Sequence, residues 1–372
     1  MTHYKMSDVA VEINERENNP ASSKYERFVG LEHYVSGEVI IRNYGSTENL
    51  ESTMKVFQSG DVLVARRNVY LKRASMVDFD GLTSGDSIVL RAKNPIIGRI
   101  LPFVLNTDFF WDFADQYSDG TMSKRLSPKT LMTYEFDLPD EDELEKFADL
   151  LWAANDTRES YQALLRQTDE LVKSQFIEMF YGKDYPIKTI GQVIDKNILR
   201  APKMFSQSDV IEYLDISSID NASKTVTGTT RYIQTDAPSR AQYVLQKDDI
   251  LYSTVRPNLQ NIAINPYCDD NIVGSTGFCV LRCKDVTTGF MWGLITSDFF
   301  TEKMVSLASG ANYPAVTDKI VQAYEFPMPP ITEQKRFESI VRQSDKSKFE
   351  LKQNIENINS LMRSLMRQDF SN

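Results

Sequence analysis

Few residues in this chain could do covalent or metal chemistry, while several clusters could grip an anion. Two of its 372 residues are histidine and three are cysteine. Cys279 and Cys283 have the CxxxC spacing of a thiolate metal pair, but neither His3 nor His33 lies near them in sequence. They read as buried thiols, and no metal is expected on this chain. His-based acid–base catalysis lacks its usual residue. No GxGxxG, GxxxxGK[ST] or HExxH run signals a dinucleotide, NTP or zinc site. No catalytic residue is assigned. Positive charge, by contrast, is gathered. Arg66, Arg67, Lys72 and Arg73 fall within eight residues, and Lys124, Arg125 and Lys129 form a second group. Four cations that close repel unless an anion is near. The competing readings are solvated surface charge, salt bridges within the domain, and a bound anion.

The elements around these clusters belong to a soluble protein. The chain is 41% hydrophobic and 25% charged, and 372 residues suggest two domains or two copies of one unit. No apolar run approaches the length of a membrane span, and the N-terminal residues lack the apolar stretch of a secretory signal. Three cysteines make no disulfide framework, so the cytoplasm is the expected location. The net charge is −10, with a dense acidic stretch over 135–149. That argues against a chain coated in nucleic acid, though cations converging on one face would still bind it. Asn94-Pro95-Ile96 and Asn265-Pro266-Tyr267 are similar to the Asn/Asp-Pro-Pro-aromatic tetrapeptide of amino-methyltransferases. Neither completes it, no Gly-rich methyl-donor loop lies upstream, and Asn265-Pro266-Tyr267 reads as a turn.

The second half restates the first. Met6-Ser7-Asp8-Val9 matches Ile190-Gly191-Gln192-Val193, and Gly60-Asp61-Val62-Leu63 matches Asp248-Asp249-Ile250-Leu251. Phe109-Phe110 returns as Phe299-Phe300, Gly120 as Gly310, and Tyr134-Glu135-Phe136 as Tyr324-Glu325-Phe326. Arg67 aligns with Arg256, and Ala74 with Ala263, if one residue is inserted. The offset creeps upward from 184 to 190, the mark of a tandem duplication of a domain-sized unit.

Each unit divides in two. Residues 1–139 and 185–330 are mixed and strand-rich. Short strands are expected at 62–64, 87–91, 249–252 and 277–282, and helices near 107–117, 206–213 and 290–307. Residues 140–184 and 331–372 each hold a long helix. Between 140–181 and 331–369 there is no Pro or Gly, and Pro139, Pro330 and Gly182 are sensible boundaries. Phe147, Leu151, Tyr161, Leu165 and Val172, and then Phe337, Val341, Leu351, Ile355, Ile358 and Met362, mark a heptad-like seam broken by Arg158, Ser344 and Lys348. Some 40 residues span roughly 60 Å as a helix. The two helices are expected to pair antiparallel, with the mixed domains at opposite ends. The fold class is α+β: two pseudo-symmetric strand-rich domains and two long antiparallel coiled-coil helices.

Three stretches carry a resemblance that covers the whole chain. Lys247-Asp248-Asp249-Ile250-Leu251-Tyr252-Ser253-Thr254-Val255-Arg256-Pro257 resembles a "GDIL…S…RP" stretch. Gly274 to Arg282 resembles a "stGfxvlr" strand, and Phe326 to Phe337 resembles the "PLPPLxEQ" signature that opens a long helix. All three are found in the specificity (S) subunit of Type I restriction–modification systems. The first copy departs from the pattern, with Pro139-Asp140-Glu141-Asp142-Glu143-Leu144 at the signature and Arg67-Asn68 in place of Arg-Pro.

The resemblance implies a non-catalytic DNA-binding subunit in which each mixed domain reads one half of a split site. It implies that the helices set the gap and dock two methyltransferase subunits, with S-adenosylmethionine on those partners. A restriction/translocase subunit can join them. Candidate DNA contacts are Arg66, Arg67, Lys72, Arg73, Lys124 and Arg125 in the first copy. In the second they are Thr254, Arg256, Asn258, Gln260, Asn261, Ser275, Thr276, Asn312 and Tyr313. Arg, Lys, Asn and Gln read base edges, while Ser and Thr also hold phosphates. The alternative is a duplicated coiled-coil adaptor that binds no DNA. A self-sufficient methyltransferase is opposed by the missing motifs.

Overall fold

The computed structural model describes residues 2–121 and 123–370, the side chains of 367–370 excepted. Met122, in the polar loop 118–125, and the side chain of Phe370 therefore lie outside the description. The chain forms two compact units. Unit 1 is Met1–Gln162 with Lys352–Asn372, and unit 2 is Ala163–Leu351.

Unit 1 is rooted by an antiparallel pair, Thr2–Lys5 against Glu135–Leu138. Its central sheet runs Ala10–Ile13, Ser87–Ala92, Val62–Ala65, Ala74–Met76, all antiparallel. A second sheet of five short strands contains one parallel pair, Arg27–Val29 with Gly81–Thr83. Val62, Leu63, Val64, Ile88, Val89 and Leu90 are buried along the central strands. Alternate residues go to opposite sides: Val62, Val64, Ile88 and Leu90 pack toward the helices, and Leu63 and Val89 toward the second sheet. The helix Pro95–Val104 starts on Asn94, whose side chain accepts from the Ile96 and Ile97 amides. Thr107 caps Asp108–Gln116 in the same way.

Unit 2 repeats this plan. Ile187–Thr189 pairs with Glu325–Pro327, and the central sheet runs Ile194–Asp195, Phe278–Cys283, Ile250–Ser253, Ile262–Ile264. Its second sheet has four strands in the order Thr230–Ile233, Val210–Leu214, Ile272–Ser275, Ala241–Val244. Two expectations need correction and one is refined. The segment near 206–213 is not helical: Val210–Leu214 is a strand whose β-branched and aromatic residues suit a sheet interior. The stretch 290–307 is two helices, Thr288–Ile295 and Asp298–Leu307, because Ser297 caps the second. The offset also overshoots 190: Ser87–Ala92 and Phe278–Cys283 stand 191 apart, before the root strands return to 190.

Two helices of 40 residues each follow the mixed domains, Glu141–Phe180 and Ile331–Phe370. In unit 1 the start of the first helix (Leu144, Phe147, Leu151) shares a core with the end of the second (Met362, Leu365, Met366). In unit 2 the end of the first (Val172, Phe176, Phe180) shares a core with the start of the second (Phe337, Val341). In each unit, then, the start of one helix meets the end of the other, as an antiparallel pair does. Phe147, Leu151 and Phe337 are more than seam residues, because they are buried in the cores of the mixed domains. Leu351 is buried, while Tyr161, Leu165, Ile355 and Ile358 are half-buried. Among the described residues no helix is long and apolar enough to cross a membrane.

Candidate nucleic-acid interface

The stretches that carry the resemblance are first of all folding devices. In unit 2, Asp249 accepts from the Gln246 amide and takes a two-pronged bond from Arg282, at 2.8 and 2.7 Å. Unit 1 builds the same turn, with Asp61 on the Gln58 amide and two 2.7 Å bonds from Arg91. The Asp of one strand-opening turn thus locks the Arg of the neighbouring strand. Gln334 of the helix signature is fully buried; its side chain donates to Pro329 O (2.8 Å) and accepts from the Thr287 amide (2.9 Å). That pins the start of the long helix to the cap of Thr288–Ile295. Its counterpart Leu144 is buried in an apolar core instead.

Above each central sheet the hairpin loop has one unusual shape. In unit 2, Arg256 and Gln260 are left-handed (φ 49° and 48°) and flank the single turn Pro257–Leu259. In unit 1, Asn68 and Lys72 (φ 56° and 47°) flank Val69–Leu71. Among the described residues only two other non-glycine residues have positive φ, Lys224 and Asp248. Such conformations cost energy outside Gly and gather at functional sites. The matched backbone positions also correct the expected alignment: Arg256 falls on Asn68, not Arg67. The strands on either side, 62–65 with 250–253 and 74–76 with 262–264, all stand 188 apart, so no residue is inserted and Ala74 falls on Ile262.

A second loop clasps the first. In unit 2 it runs from Ser309 to Ala315, closed by paired backbone bonds and turned by Gly310 (φ 109°). It accepts the Arg256 amide on Pro314 O at 2.7 Å. In unit 1 it runs from Asp119 to Arg125 with Gly120 (φ 93°), and accepts the Asn68 amide on Lys124 O at 2.9 Å.

The side chains on this common frame differ. In unit 1 the cations are matched to the unit's own carboxylates. Arg67 and Arg125 both reach Asp86, Lys72 reaches Asp108 at 2.8 Å, and Lys124 reaches Asp115 at 2.6 Å. Arg66 and Arg73 donate to backbone carbonyls of Leu126, Leu31 and Arg67. Burial, and then Arg125, lower the Arg66 pKa. The repulsion noted in the sequence is therefore relieved within the domain. Asn68 accepts a hydrogen bond from Ser123 at 2.9 Å. Tyr70 and Leu71, at the tip, are exposed.

In unit 2, Arg256 lies over the Tyr313 ring at 4.7 Å and donates to Asn312 O at 3.4 Å. Among the described residues it has no carboxylate partner. Tyr313 is 69% exposed, and Asn258 and Asn312 are exposed beside it. Gln260 is used internally, accepting from Lys224 at 2.8 Å and donating to Thr301 at 2.8 Å. Asn261 is half-buried and Thr276 exposed. Thr254 and Ser275 were expected at the surface and are not. Both are buried, Thr254 donating to Gly277 O and Ser275 accepting from the Gly277 amide. Asn68, in a left-handed position, and Tyr70 and Leu259, exposed on the single turns, also lie on these loops and are not among the expected contacts.

The helix seam is polar at one repeated register. Lys348 bonds Asp169 at 3.1 Å and Asp345 at 2.9 Å; burial opposes its charge, but the two carboxylates hold its pKa above the ordinary value. The equivalent Arg158 is buried, which lowers its pKa, and it donates to Asn155 (2.7 Å) and Gly37 O (3.3 Å). Cys279 and Cys283 stand on one strand, and burial raises both pKa values, that of Cys283 to about 12.

Residues 182–360 match the family described as the Type I restriction modification DNA specificity domain. By sequence, no curated protein matches the chain. Two solved structures are similar over nearly the whole length. One is a chain from work on complex assembly and conformational transition of the type I R-M system, at 20% identity and TM-score 0.54, covering 99% of this chain and 97% of that one. The other is the Type-I restriction-modification system S subunit from M. genitalium, at 13% identity and TM-score 0.56, covering 100% and 96%. At these identities the likeness establishes the fold. Residues 182–360 thus match the Type I restriction modification DNA specificity domain, unit 1 repeats the plan of unit 2, and the chain as a whole shares the fold of these Type I restriction–modification structures.

Proposed function

We propose that each unit reads one half of a bipartite double-stranded DNA site through its clasped, left-handed loop. The observation that carries this is the recurrence of that costly loop in both units, with exposed and different side chains on it. Arg256, Asn258, Asn312 and Tyr313 are the contacts in unit 2. In unit 1 Arg67, Lys72, Lys124 and Arg125 turn toward phosphates only by exchanging their carboxylate partners. Thr254 and Ser275 hold the frame, and Arg66, Arg73 and Gln260 support the loop. The two long helices dock two methyltransferase subunits, and a restriction/translocase subunit joins that complex. The chain itself is non-catalytic: S-adenosylmethionine binds the partners, which methylate adenine in the cytoplasm. The test is to co-express the chain with its cognate methyltransferase subunit and map methylated adenines. One split motif with a fixed gap is expected. A complex that forms and methylates no motif would leave only an adaptor.

A further inference from the structure

The two loops share a backbone and differ at one pair of positions. Asn68 and Arg256 occupy the same left-handed site, each with its amide held by the clasping loop. Ser123 and Tyr313 occupy the same place on that loop, and each touches its partner: Ser123 donates to Asn68, and Tyr313 lies under Arg256. A position that served only to neutralise a phosphate would keep its cation in both copies. This one exchanges a charged fork for a neutral amide on an unchanged frame, which is how a reading position behaves.

We propose that these pairs are the specificity-determining side chains of the two units, Arg256 on Tyr313 reading guanine and Asn68 on Ser123 reading adenine. The inference rests on the DNA-reading function proposed above. The Tyr313 ring supports the guanidinium at 4.7 Å, and among the described residues no carboxylate holds it, so once the long 3.4 Å bond to Asn312 O is given up both prongs fit guanine O6 and N7. The Asn68 amide presents one donor and one acceptor, the match for adenine N7 and N6. Its Oδ1 already takes the Ser123 hydroxyl and still has a lone pair for the base. The left-handed backbone fixes where each side chain leaves the loop.

The test uses the complex assembled with its methyltransferase subunit. The double variant Asn68→Arg/Ser123→Tyr places the unit 2 pair on the unit 1 frame. Mapping methylated adenines should show one position of one half-site changing from adenine to guanine, with the other half and the gap unchanged. An unchanged motif at full methylation overturns the inference and leaves the bipartite reading intact. A wild-type complex without any split motif overturns both. If the double variant does not methylate, Arg256→Lys decides, since it keeps the charge and loses the fork. Its preference for guanine at one position should fall by roughly tenfold to a hundredfold. Unchanged preference at every position, in a variant that melts like the wild type, overturns the proposal.

Discussion

Unit 1 and unit 2 carry the same loop and handle its charge in opposite ways. Unit 1 has more cations, yet Asp86, Asp108 and Asp115 hold four of them. Unit 2 has fewer, and its Arg256 rests on an aromatic ring rather than a carboxylate. Local basic density is thus a poor guide to which loop offers charge to a polyanion. A cation already matched must give up one partner to gain another, whereas a stacked guanidinium keeps its edge available.

The comparison can be broken first at the frame the units share. Replacing Asp249 by Ala strands Arg282, whose side chain is 14% exposed. Loss of about 3–5 kcal/mol is expected in a thermal melt. Asp61→Ala should cost less, because Arg91 is 34% exposed and water can take it over. Equal losses would contradict the burial argument. Next in size is Gln334→Leu, which gives unit 2 the residue unit 1 has. The amide of half-buried Thr287 loses its acceptor, at about 1 kcal/mol. A neutral result would mean that the two hinges are interchangeable.

The loops themselves are sharpened by charge. Asp86→Asn frees Arg67 and Arg125, so DNA binding by the complex should tighten and its salt dependence steepen by about 0.9 per cation released. Arg256→Gln should weaken binding and flatten the slope by a similar amount. No change in slope for Asp86→Asn would mean those cations never face the backbone. The smallest effect is a pH dependence confined to unit 1. Asp137, hydrogen-bonded to His3 at 2.7 Å, raises the imidazole pKa above 6.5, and Glu135 adds to it. A raised pKa means this pair's stabilisation is complete below pH 6.5 and is lost as pH rises through the raised value. His3→Gln should abolish a small decline in melting temperature over that window. Unit 2, with Ile187 against Pro327 in the same register, has none to lose.

Much of this architecture was legible in the sequence. The duplication, the central strands and the two long helices follow from matched motifs and from runs without Pro or Gly. What stayed hidden depends on backbone conformation and on distant partners. Nothing in Arg66–Arg73 announces Asp86 or Asp115, which arrive from other elements. Arg67 looked like the mate of Arg256 because identity was matched where backbone shape was the real correspondence. Thr254 and Ser275 sat among polar neighbours and proved to be buried members of the frame. The stretch 206–213 reads as helix in the sequence, because the sheet neighbours that make Val210–Leu214 a strand lie at 230–233 and 272–275.

The central claim is that one unit reads one half-site. The most direct measurement is to replace Arg256, Asn312 and Tyr313 together by Ala, assemble the complex, and map methylated adenines beside the wild type. The account predicts that sequence preference relaxes in one half of the motif, while the other half and the gap stay as they were. Relaxation in both halves, or in neither with methylation intact, would contradict it.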